Sequence, residues 1–139
     1  MGTDNLWETY GKACRARGSL ALQVFACITS PARPGPPPEE LLAAHLEYQK
    51  DIESRGQLFL AGPLSDPSGL NMSGSGLIIY AARTMAEAQN LAEGDPMHQS
   101  GQRTFILQAW RINEGAPFAG VRLSSSSIAF ADAGPSPER

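Results

Sequence analysis

The order of elements read from this sequence, β-α-β-β-α-β, predicts an α+β domain in which four antiparallel strands carry two helices on one face. Three observations lead there. Residues 21–29 and 103–112 are strand-like runs with alternating side chains, two amphipathic helical stretches each follow a strand, and a Gly/Ser/Asn-rich connection between two further strand runs is too short to hold another element. The chain has 139 residues, 42% hydrophobic and 18% charged, enough for one domain with a single core.

Residues 4–18, "DNLWETYGKACRARG", space Leu6, Trp7, Tyr10 and Cys14 as one helical face and predict a short added helix. The first strand, "ALQVFACIT" over 21–29, is rich in β-formers and is expected to stop before Pro31. "SPARPGPPPEE" then breaks regular structure and reads as a loop over that strand. Pro38, Glu39 and Glu40 open a helix, because Pro suits its first turn and acids suit its positive end; it is expected to run to about Arg55 and to stop at Gly56. "QLFLAGP" reads as a strand ending at Gly62-Pro63 and "GLIIYAA" (76–82) as its antiparallel partner, with "LSDPSGLNMSGS" as a long mobile loop between them. Thr84 and Glu87 form a capping-box pattern before the second helix, whose buried stripe is Met85, Ala88, Leu91 and Ala92 and which Gly94 is placed to close. "RTFILQAWRI" (103–112) is the last strand. The chain thus divides into an N-terminal helical extension (1–19), the α+β domain (20–114) and a C-terminal extension (115–139) that is expected to be partly disordered, with one weak apolar run at Ile128–Ala131.

Two helices on one face leave the other sheet face bare, and an apolar bare face must be buried. Two-fold pairing of stacked sheets into a homodimer is the expected solution, with the N-terminal helix and the C-terminal tail as alternative covers. No apolar run reaches the roughly 20 residues of a membrane span, and the N-terminus carries acid and aromatic residues where a signal peptide needs a basic flank and an apolar centre. Cys14 and Cys27 form no disulfide framework and lack metal-ligand spacing, so a reduced cytoplasmic protein is expected. With net charge −3 and only a loose cluster of Arg15, Arg17 and Arg33, nucleic acid is not an expected partner.

His45 is out of pattern. Successive helical residues turn by about 100°, which puts Leu41, His45, Tyr48 and Ile52 on one apolar stripe flanked by Leu42 and Leu46. A ring turned toward the sheet must find a hydrogen-bond partner: a backbone carbonyl, if His45 is an ordinary core histidine, or a functional group. Asp95 offers itself as that group. Asp-Pro is a common turn starter, which explains Pro96, but an acid next to the negative end of a helix is mildly unfavourable unless a partner offsets it. A loop after the second helix can approach the first, so Asp95 can fix the tautomer of His45 and raise its basicity.

In order, His45, Gly56, Ala61-Gly62-Pro63, Gly76, Glu87-Ala88 and Asp95-Pro96 make "HLEYQKDIESRGQLFLAGPL", "GSGLIIYAARTMAEAQNLAEGDPM" and "FILQAWRI" resemble the YCII-related domain family over about residues 20–113. The resemblance implies a ferredoxin-like domain that dimerises, related to dimeric α/β-barrel proteins, with an active site built around a His and an Asp, here His45 and Asp95. One relative acts in dehydrochlorination of a chlorinated aromatic breakdown product. The family has an aromatic after its Asp-Pro pair where this chain has Met97 and then His98.

The function expected is acid/base chemistry, an elimination or isomerisation, on a small organic substrate, with His45 and Asp95 catalytic and Gly62, Pro63, Ser75, Met97 and His98 around the substrate. The alternative is a binding module without catalysis. No cofactor and no metal are expected: His45, Asp95 and His98 have the ligand types for a two-His, one-carboxylate site, but their spacing is not diagnostic and His98 reads as a solvated loop residue. Ser65, Ser73 and Ser75 lack the context of a nucleophile, "SDPSGLNMSGSG" could serve as a lid without being a phosphate loop, and Arg83 and Arg103 are either anchors for an anion or surface charges.

Overall fold

The computed structural model describes residues 6–116. Along them run α1 (Trp7–Ala16), β1 (Leu22–Pro31), α2 (Glu39–Ser54), β2 (Leu58–Ser65), β3 (Met72–Tyr80), α3 (Met85–Gly94), α4 (Pro96–Gln99) and β4 (Arg103–Ile112). All strand pairs are antiparallel, and the sheet order is β2-β3-β1-β4. The expected α+β class and four-stranded sheet are present, with α4 as an element beyond those predicted. The C-terminal extension, including Ile128–Ala131, lies outside the described residues from position 117 onward.

The register explains the core. Phe25 pairs with Tyr80 and Cys27 with Ile78, so these four side chains share one sheet face. Ile52 of α2 and Ala88, Leu91 and Ala92 of α3 pack onto it. Each large apolar side chain fully buried there contributes about 1.5–3 kcal/mol.

α2 ends as its sequence requires. Gly56 takes a left-handed φ of 73°, its N–H donates to Glu53 O (3.0 Å), and Gln57 N–H donates to Ile52 O (2.8 Å), the paired bonds of a Schellman cap. α3 opens on Thr84, whose Oγ1 accepts from Glu87 N–H at 3.1 Å. Its end differs from expectation. Gly94 is the last helical residue and not a left-handed cap; the C-cap is Asp95, in an extended conformation. What Gly94 supplies is room: a Cβ there would lie 2.7 Å from the Tyr48 hydroxyl, which donates to Leu91 O at 2.7 Å and ties α2 to α3.

The hairpin is the second difference. β2 continues through Pro63 to Ser65 and β3 begins at Met72, so the expected twelve-residue loop is a turn over residues 66–71. Pro63 is tolerated because β2 is an edge strand. The turn is closed by Asp66 N–H donating to Asn71 O (2.8 Å), while the Asp66 carboxylate accepts from Ser68 N–H (3.0 Å) and Asn71 Nδ2 (3.1 Å). A turn bonded in this way does not fit the mobile lid expected of it.

On the opposite face of the sheet, Val24 and Ile79 in the central strands are 2% and 4% exposed, whereas Ile106 and Trp110 on the β4 edge are 63% and 44% exposed. α1 does not cover that face. It packs on the helix side, where Arg111 of β4 reaches Gly11 and stacks 4.6 Å from the Trp7 ring.

Gly94→Ala should lower stability by about 1–2 kcal/mol, because Tyr48 must move and surrender its bond to Leu91. The loss should shrink in a Tyr48→Phe background, where the clashing hydroxyl is absent. A double-mutant cycle by urea denaturation measures both, and equal losses in the two backgrounds would refute the contact.

Candidate active site

α2 lays His45 across the sheet end where β1 finishes and β4 begins, and the α3–α4 junction brings Asp95 to it. The His45 Nδ1 lies 2.8 Å from Asp95 Oδ1 and 3.0 Å from Oδ2. Asp95 is 1% exposed and its imidazole partner 18%. The carboxylate has one more donor: Asp95 is the N-cap of α4, and Oδ1 accepts from Met97 N–H at 2.9 Å. Pro96 therefore does more than stop α3, since it occupies the first turn of the next helix, where a missing N–H is harmless.

A carboxylate can only accept, so the imidazole donates from Nδ1 and the lone pair of a neutral ring sits on Nε2. Nε2 makes no hydrogen bond among the described residues, and the ring lines a cavity of about 370 Å3. Leu42 and Leu46 of α2, Ile78 of β3 and Met97 of α4 give this cavity apolar walls. Gly62, Pro63 and Gly76 line it along β2 and β3, where a Cβ on Gly76 would meet Gly62 O at 3.2 Å. Ser75 also lines it, but its hydroxyl is bonded to Ser30 Oγ at 3.1 Å. Residues that sequence reasoning did not single out, Thr29 and Gln49 among them, line it too. Thr29 gave no signal beyond its place at the end of a strand.

His98 is not a solvated loop residue. It belongs to α4, its Nδ1 donates to Ala92 O (2.7 Å), its Nε2 is 2.9 Å from Thr29 Oγ1, and its ring packs 4.6 Å from Phe105. The carbonyl fixes the proton on Nδ1, so the Thr29 hydroxyl donates to Nε2. With both nitrogens engaged, His98 cannot complete a ligand set with His45 and Asp95, and among the described residues no group of three or more His, Cys, Asp and Glu is placed to hold a metal ion. Arg103 also lines the cavity, whereas Arg83 is an exposed partner of Glu87.

Behind the carboxylate lies a dry layer. Burial pushes the Cys27 thiol up to about 11, with the Tyr80 hydroxyl opposing and the Asp95 charge adding to the rise. The thiol is thus protonated at neutral pH and a poor nucleophile. Burial, with the Asp95 charge in support, likewise raises Tyr48. Tyr80 is raised above the ordinary phenol value by burial first, then by Cys27 and Asp95.

A four-stranded antiparallel sheet with helices on one face and a His–Asp pair beside a largely apolar cavity defines a small α+β domain with a candidate site at one sheet end. The YCII-related domain family model matches residues 24–111, and the chain belongs to that family. It is similar to the YjpA protein of Bacillus subtilis (strain 168), itself uncharacterised, at 25% identity over 76 residues, which covers 55% of this chain and 82% of YjpA. It is also similar, at 23% identity and a TM-score of 0.44, to 5-chloro-2-hydroxyhydroquinone dehydrochlorinase (TftG) from Burkholderia phenoliruptrix AC1100, solved in complex with 2,5-dihydroxybenzoquinone; that match covers 62% of this chain and 92% of TftG. No helix among the described residues is long and apolar enough to cross a membrane.

The dry layer makes stability fall in alkali. Since the folded-state thiol value of Cys27 lies above its ordinary 9.0, its contribution is complete below about pH 9 and is lost as pH rises toward 11. Tyr80, raised in the same sense, extends the loss. The unfolding free energy from urea titrations should drop across this window by up to about 2–3 kcal/mol, and Cys27→Ala should flatten the slope between pH 9 and 10. An unchanged slope would show that the thiol does not contribute.

Proposed function

We propose that this protein is a small acid/base enzyme acting on a small organic molecule held in the cavity, with His45 as the proton-transferring group and Asp95 as its partner. The observation that carries the reading is the His45 Nδ1 bond to a carboxylate buried to 1% exposure, on a ring that lines an apolar cavity. Nε2 takes a proton from an acidified C–H of the substrate, and the imidazolium so formed is stabilised by Asp95. The electron pair left behind either expels a leaving group, giving elimination, or is reprotonated elsewhere by the Nε2–H, giving isomerisation. Gly62, Pro63 and Gly76 let the substrate approach the strand backbone, and Met97 shapes the wall beside the pair. Ser75 contributes backbone surface here and not its hydroxyl, and His98 positions Thr29.

The second reading, a non-catalytic binding module, is favoured by the apolar walls of the cavity. Proton exchange separates the two. In D2O the protein should catalyse deuterium incorporation into activated C–H positions of a panel of small carbonyl and phenolic compounds. His45→Ala should reduce the rate by about 10²–10⁴-fold with the fold retained. In Asp95→Asn, 15N shifts of His45 should show the loss of a fixed Nδ1–H tautomer. Compounds that bind without any exchange would decide for the binding module.

The proposal extends to a homodimer stacked through the open sheet face, where Ile106 and Trp110 stay exposed, in a reducing compartment such as the cytoplasm that suits the free, buried Cys14 and Cys27. Sedimentation of the full chain should give twice the mass of one copy, and Trp110→Glu should return it to one. A single-copy mass for the parent protein at micromolar concentration would rule the dimer out.

A further inference from the structure

We propose that Arg103 is the anion anchor of the cavity, so that the substrate class is a small monoanion with an apolar body, such as a carboxylate or a phenolate. That the bound anion is a substrate rests on the acid/base role of His45 and Asp95; anion binding at Arg103 does not.

The charge inventory of the cavity is one-sided. No Asp or Glu lines it among the described residues, and Arg103 is the one Lys or Arg that does. The remaining wall is largely apolar, so a guanidinium there acts in surroundings that screen charge weakly. No carboxylate of the described residues lies within ion-pair distance of Arg103, because Asp95, whose charge Arg103 does feel, is engaged by His45. Burial pulls the guanidinium below its ordinary value, with the Asp95 charge opposing, and arginine remains charged, so the cavity presents a cation that no carboxylate of the described residues contacts.

Its hydrogen bonds fix the direction in which that cation is offered. Nε donates to Thr29 Oγ1 at 3.0 Å, and Nη2 donates to Thr29 O at 3.0 Å and to Gly74 O at 2.6 Å. The Thr29 hydroxyl is oriented in turn by its donation to His98 Nε2, and His98 is anchored on Ala92 O. Three donors are spent on the protein, and Nη1 makes no hydrogen bond to the described residues. A guanidinium held by one edge presents its remaining nitrogen end-on, which fits a single oxyanion and not a forked clamp.

The chemistry requires such a group if the substrate is anionic. Removing a proton from an anion adds a second negative charge, and a preordered cation in an apolar cavity offsets that charge where it develops.

Benzoate and its neutral isostere benzamide test this in NMR titrations of the full chain at pH 7.5, read on the amides of Gly62, Gly74 and Gly76. Wild type should bind benzoate about tenfold more tightly than benzamide, a difference expected of one charge-assisted hydrogen bond. Arg103→Gln should reduce the preference below about twofold with benzamide binding unchanged, and His45→Ala should retain the preference. No preference in wild type, a preference that survives Arg103→Gln, or one lost in His45→Ala would overturn the anchor, the last by assigning it to the imidazole. Should Arg103→Gln fail to fold, the guanidinium 15N–1H signals of wild-type Arg103 decide: they should shift with benzoate and not with benzamide. The two readings fail separately, since deuterium exchange undiminished in His45→Ala removes the acid/base role and leaves the anchor standing.

Discussion

The carboxylate of Asp95 is the constraint around which this end of the domain is arranged. Taking an ionised carboxylate out of water costs several kcal/mol unless donors replace the lost solvent. Here there are two, the Met97 N–H and the His45 imidazole. The first exists because Pro96 starts a new helix with Asp95 as its cap, and the second because α2 is held at the right height by Tyr48 bonded to Leu91. A buried ion or polar pair of this kind contributes little net stability compared with apolar packing of the same volume. The Asp95 charge is felt at Cys27, Tyr48, Tyr80 and Arg103.

The cavity exists because the sheet beneath it carries so few side chains. Gly74 and Gly76 on β3 expose backbone where the other strands would present residues, and α2 borders the space with Leu42 and Leu46. α1 sits away from it. The register pairs Leu22 with Ile112 at one end of the sheet and Pro31 with Arg103 at the other, and α1 is fastened near the first end through Arg111, Trp7 and Gly11. The added helix thus extends the helix layer without filling the site.

Much of this was legible in the sequence because it is local. The strands over 21–29 and 103–112 follow from alternation and the two between them from β-forming runs bounded by turn residues, the α2 cap follows from Gly56, and the anomaly of His45 from helical periodicity, which also puts Tyr48 and Ile52 on the stripe. Asp95 was legible as an acid without a local reason. What was hidden depends on tertiary contact. Gly94 looks like a helix terminator, but its smallness answers to Tyr48, 46 residues away in the chain; Asp95-Pro96 looks like a stop, but the four residues Pro96–Gln99 form a helical turn that packs Met97 inward. The hairpin departs from expectation because Gly and Ser favour loops locally, whereas their pairing across β2 and β3 keeps them in strands up to a six-residue turn.

His45 and His98 show why composition could not assign the site. Both are half-buried, both stand near Asp95 in sequence or space, and each donates from Nδ1 to a fixed oxygen. They diverge at the other nitrogen. Nε2 of His98 accepts from Thr29 and is thereby spent on holding the hydroxyl to which Arg103 is bonded, whereas Nε2 of His45 has no such partner among the described residues and its ring borders the cavity. The identity of the oxygen matters as well. A backbone carbonyl fixes a tautomer but carries no full charge, while a buried carboxylate also stabilises the ring once it has gained a proton. Of the two imidazoles, one is spent on directing a neighbour, and the other lines the cavity with its Nε2 unbonded among the described residues.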